Sequence, residues 1–176
     1  MFFLQFISKL IKVLRSGESP GLIAGGFAMG FVIGLSPFWT LQNVLILAAA
    51  ILTKVNLGAV FFAIFFFGFV AFLFDPVFHN LGFYVLAQIE NLKALWTTIY
   101  NWPIAPFTRF NNTVVMGSLL IALALVVPLY FLTKKGIVAY RNNWAAKLEQ
   151  SKFMKALKGN FLVKLYLKIR DMEFGS

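Results

Sequence analysis

The chain has 176 residues, of which 60% are hydrophobic, 18% aromatic and only 12% charged, with a formal net charge of +10. A soluble domain of this size carries about a quarter charged residues, so there is too little polar surface here to cover a water-facing globule, and disorder, collagen and coiled coil are excluded by the same arithmetic. The absence of cysteine removes a disulfide framework, a thiolate nucleophile and a cysteine-ligated metal, and the class left is an all-α integral membrane protein.

Residues 1–19 read as an amphipathic interfacial helix. Phe2, Phe3, Phe6, Ile7, Leu10, Ile11 and Leu14 recur at helical spacing, while Lys9, Lys12 and Arg15 fall on the opposite face and suit anionic lipid headgroups. The charge is threaded through the apolar residues rather than placed ahead of them, so cleavage as a signal peptide is not expected.

The membrane domain is expected over residues 20–133, with four hydrophobic helical segments at about 21–35, 41–53, 57–74 and 113–133. The first two fall short of the roughly 20 residues of a straight crossing. They are either two thin spans or a re-entrant hairpin, and both readings return the chain to the side where Lys54 stands. Pro37 breaks the helix between them. Gly26, Gly30 and Gly34 make two overlapping small-xxx-small steps on one helix face, which lets another helix approach to backbone contact. That face either packs internally against Ala48, Ala49 and Ala50 or forms a groove for a partner helix or lipid chain. Gln42, Asn43 and Asn56 lie beside apolar runs and need partners there. They either cap helix ends and close the turn, or line a polar vestibule that touches a lipid headgroup.

The third segment is dense in phenylalanine and delivers Asp75-Pro76 to the far side, where 76–112 reads as a periplasmic interfacial segment. Tyr84, Trp96 and Tyr100 there suit an aromatic belt. Asp75 at an N-cap with Pro76 at N1 is a common helix start. The alternative is an acid/base pair with His79, four residues on. A metal site is not expected, since only Glu90 stands near the two in sequence. Pro128 is expected to kink the fourth segment. Lys134 and Lys135 close it and open a basic amphipathic tail, 134–174, in which Lys155 and Lys158 interleave with Phe153, Leu157 and Phe161. So basic a tail invites a nucleic-acid reading. Directly after a span, however, it meets anionic lipid first, at about 1 kcal/mol per cation, so nucleic acid is not the expected partner. Gly175-Ser176 reads as a cloning remnant. The cations at both ends keep both termini cytoplasmic in a multi-pass inner-membrane topology.

The run from Pro20 through Ile23-Ala24-x-Gly26-Phe27-Ala28-x-Gly30-x-x-x-Gly34-x-x-Pro37, followed by Gln42, Asn56, Asp75-Pro76 and Gly82, resembles a bacterial inner-membrane family, domain of unknown function number two thousand and sixty-two. The likeness covers about residues 20–82. Thr40 stands where that family usually carries glycine, and Asp75 where it carries asparagine, as in a divergent branch. The resemblance implies a membrane subunit that serves a large periplasm-spanning partner of the bridge-like lipid-transfer type, and it implies no catalytic residues; no enzymatic activity and no cofactor are expected. The chain itself shows no G-x-S-x-G, Walker loop or H-E-x-x-H. The leading expectation is an inner-membrane subunit that anchors or receives such a partner in phospholipid transport to the outer membrane. Behind it stand a small homo-oligomeric transporter or channel, and then a membrane enzyme using Asp75 and His79.

Overall fold

The computed structural model describes residues 17–144, with side chains to Asn142. Among these residues the protein is helical with no strand: α1 (Pro20–Leu35), α2 (Leu41–Leu52), α3 (Leu57–Phe83), α4 (Glu90–Tyr100), α5 (Ala105–Thr108) and α6 (Thr113–Ala139), with π turns at Tyr84–Gln88 and Tyr140–Trp144. The chain divides into Met1–Ile137 and Val138–Ser176. Of the second unit, the described part is the end of α6 and its π turn. The two amphipathic terminal helices expected from sequence, with Lys9, Lys12, Arg15, Lys155 and Lys158, lie outside the described residues.

Local chemistry sets the helix ends. Ser19 caps α1, its Oγ accepting from the Leu22 amide at 3.3 Å, with Pro20 at the first helical position, where its missing N–H costs no hydrogen bond. Pro37 forces Ser36 into extended backbone (φ −98°, ψ 151°), and α1 stops there. Asn56 caps α3 through Oδ1, which accepts from the Ala59 amide at 2.6 Å. Lys54, at φ 54°, supplies the left-handed residue that closes α2.

α3 departs from the sequence expectation. It does not end at Phe74, and Asp75 does not cap a new helix: 27 residues run unbroken through Pro76 to Phe83. Proline deprives the Phe72 carbonyl of its intrahelical donor. However, Ala71 and Phe78, on either side, are buried in the same core cluster as Phe31, Leu35 and Ala122. That shared burial holds both halves in one helix, and the first part of the expected interfacial segment is therefore helix. α6 likewise continues through Pro128 and past Thr133 to Ala139.

The core is built around α1, the most buried element. It is apolar on every side, as a helix enclosed by others should be. α3 lies parallel to it, since Gly26 meets Asn56 and Ala59, Gly30 meets Val60 and Ala63, and Gly34 meets Ile64 and Phe67. α6 runs antiparallel to α3, with Thr113 against Gly82 and Phe78 against Gly117. Near the start of α1, Ile23 and Ala24 pack with Ala59 and Ile137. α2 is peripheral and buries only Asn43 and Ala50.

Two helical stretches, Leu57–Gln88 (32 residues) and Thr113–Asn142 (30 residues), are long and apolar enough to cross a membrane, yet only 22% and 28% of their most apolar windows are buried. α1 and α2, at 16 and 12 residues, extend about 24 Å and 18 Å at 1.5 Å per residue.

Candidate functional site

The glycine face of α1 is filled by α3, not by Ala48–Ala50 of α2. A Cβ on Gly26 would collide with the Asn56 carbonyl oxygen and one on Gly30 with that of Val60, while one on Gly34 would lie 3.0 Å from the Ile64 carbonyl. Helix backbones touch here because no side chain separates them. The spacing marks a flat face but does not say which helix lies on it. Of the two readings of this face, internal packing is the one the fold adopts, with α3 rather than α2 as the helix that lies on it. The crossing of α3 and α6 repeats the device, with Gly82 against the Thr113 carbonyl and Gly117 against that of Phe78.

A polar cluster closes the turn between α1 and α2. Asn43 is 3% exposed, and its Nδ2 donates to the carbonyls of Pro37 at 3.0 Å, Phe38 at 3.3 Å and Ile33 at 3.5 Å. One side chain thus adds a donor to the carbonyls of the turn, where the Ile33 and Phe38 carbonyls also accept the Ser36 and Thr40 amides. Ser36 hydrogen-bonds Ser118 of α6 at 3.2 Å, and the Ser118 hydroxyl donates to the Val115 carbonyl at 3.1 Å. Three oxygens of the cluster, Thr40 Oγ1, Gln42 Oε1 and Asn43 Oδ1, are buried with no hydrogen-bond partner. Pro37 and its neighbours Phe38 and Trp39 form the exposed tip. Sequence reading singled out Pro37, Gln42 and Asn43 but missed Ser118. A serine inside an apolar run carries no signal until the Ser36 turn is seen opposite it.

Asn56 joins three segments. Its Nδ2 donates to Glu18 Oε2 at 2.9 Å and its amide to the Leu22 carbonyl at 3.2 Å, while Oδ1 caps α3. Asn56 thus fastens the start of α1 to the start of α3. Asp75 and His79 sit one turn apart on α3, but the imidazole is engaged elsewhere: Nδ1 lies 2.7 Å from Thr113 Oγ1 of α6. Among the described residues, no group of three His, Asp or Glu side chains is placed to hold a metal ion. Lys134 and Lys135 are exposed on the last turns of α6.

A family described as "Uncharacterized protein conserved in bacteria (DUF2062)" matches residues 4–145. A protein of Treponema pallidum (strain Nichols), described as an uncharacterized protein, is 25% identical over 148 residues, covering 84% of this chain and 91% of its own. No solved structure matches the chain.

Proposed function

The chain belongs to this bacterial family, and from that premise we propose that it is a non-enzymatic, multi-pass subunit of the inner membrane that anchors or receives a partner protein. The partner class we propose is a large periplasm-spanning protein of the bridge-like lipid-transfer type, in phospholipid transport to the outer membrane. The observation that carries the reading is the exposure of α3 and α6. Both are long enough to cross, and both turn most of their apolar surface outward, where lipid can meet it. Internal contacts support the topology. Glu18 with Asn56 and Ile137 with Ile23 and Ala24 gather the start of α1, the start of α3 and the end of α6 at one end of the bundle. The exposed cations Lys54, Lys134 and Lys135 flank that end, which suits a cytoplasmic face.

We read α1 and α2 as a hairpin that enters and returns. An α2 of about 18 Å falls short of a hydrocarbon core of about 30 Å. Asn43 also answers the demand that irregular backbone at membrane depth find protein partners. Affinity purification in mild detergent tests the functional reading, which predicts a stoichiometric large partner. A self-associated ring would instead favour an oligomeric transporter or channel, and a lone monomer would contradict both.

A further inference from the structure

At the end of the bundle away from Lys54, the chain after α3 forms a wide, open surface cleft of about 360 Å³ lined by Leu86, Trp96, Thr97, Tyr100, Phe110 and Asn111, of which Thr97, Tyr100 and Asn111 are exposed. The π turn shapes one wall. There the Ile89 amide reaches back to the Tyr84 carbonyl at 3.3 Å, and the Val85 carbonyl accepts the Trp96 indole N–H at 3.1 Å. Phe110 packs on the same aromatic group, its ring 6.1 Å from Trp96 and 6.4 Å from Tyr100. The volume lies within the range of small-ligand sites, about 300–1,000 Å³. No lining side chain carries charge. An occupant therefore lays an apolar portion across the outer surface of the packed aromatic rings and keeps any ionic group at the edge of the cleft.

Arg109 directly precedes the lining residues Phe110 and Asn111. Its side chain is exposed and, among the described residues, has no acidic partner. By contrast, Lys93 on α4 is held by Glu90 at 2.6 Å. Arg109 adopts a left-handed backbone conformation, φ 51°, which a non-glycine residue rarely takes. It is fixed there by the hydrogen bonds from its amide to the Pro106 carbonyl at 3.4 Å and from the Asn112 amide to its own carbonyl at 2.9 Å.

We propose that this open cleft binds one anionic phospholipid, with an acyl chain lying along the outer faces of Trp96, Tyr100 and Phe110 and the phosphate against Arg109. The site deepens the function proposed above and rests on its membrane placement. The test uses the full chain in nanodiscs with Trp39, Trp102 and Trp144 changed to Phe, which leaves Trp96 as the sole tryptophan. Its fluorescence is read against lipids brominated on the acyl chain. Brominated phosphatidylglycerol is expected to quench Trp96 at a concentration about five-fold lower than brominated phosphatidylcholine, the factor one cation supplies near an anionic surface. Arg109→Asn should abolish that preference while the fold is kept, since asparagine tolerates left-handed backbone. Thr97→Phe, which puts a ring into the cleft, should lower quenching by both lipids. Equal quenching by the two in the parent, or a preference that survives Arg109→Asn, would overturn the site. Absence of quenching by any brominated lipid would instead overturn the membrane placement itself.

Discussion

Single side chains decide where this bundle tolerates change. Gly30 faces the Val60 carbonyl and the Ala63 side chain, whereas a Cβ on Gly136 meets nothing within 4 Å. Backbone cannot step aside as a flexible side chain can. Gly30→Ala should therefore lower stability by about 1–3 kcal/mol, and Gly136→Ala should leave it unchanged or raise it by up to about 1 kcal/mol. Thermal unfolding in one detergent reads both, and equal effects would contradict the packing described. The α1–α2 turn offers a second contrast of sign. Asn43→Leu removes the side-chain donor to the Pro37, Phe38 and Ile33 carbonyls and should cost about 1–3 kcal/mol. Gln42→Met deletes an oxygen buried without a partner and should be neutral or stabilising. The residue types involved were legible beforehand: glycine at every fourth position, and amides beside a proline. Which carbonyls they serve was not, because spacing along one helix holds no information about its neighbour.

At the level of elements, α3 is a shared rail, contacting α1 along its first half and α6 along its second. The two contacts are far apart on the helix, so Gly30→Ala and Gly117→Ala should destabilise additively within about 0.5 kcal/mol. A double variant markedly less stable than that sum would mean that the two crossings yield as one unit. The same helix shows where local signals mislead. Asp-Pro is a strong helix-start pair, and from sequence it divided this stretch at residue 75. Burial of Ala71 and Phe78 in one cluster outweighs it, and no local pattern encodes a contact made with α1 and α6. α2 shows the reverse. Its shortness was plain from the bounded apolar run, and in the fold it buries only Asn43 and Ala50.

For the whole molecule, composition alone pointed to a strongly apolar helical protein, because that expectation depends only on how much polar surface exists, and the described residues are helical with two stretches long and apolar enough to cross a membrane. What the helices are arranged to do depends on a few long-range contacts that connect the ends. Glu18 with Asn56 and Ile137 with Ile23 place three chain segments at one end, while Arg109 and the loop before α6 belong to the other. The most direct test exploits a chain that contains no cysteine of its own. Single cysteines at Gly17, Lys54, Lys134 and Asn101 are reacted, in intact cells and in inverted vesicles, with a maleimide that cannot cross membranes. The account predicts that positions 17, 54 and 134 label only from the cytoplasmic side and position 101 only from the periplasmic side. Labelling of 54 from the side opposite to 17, or of 101 from the same side as 134, would contradict it.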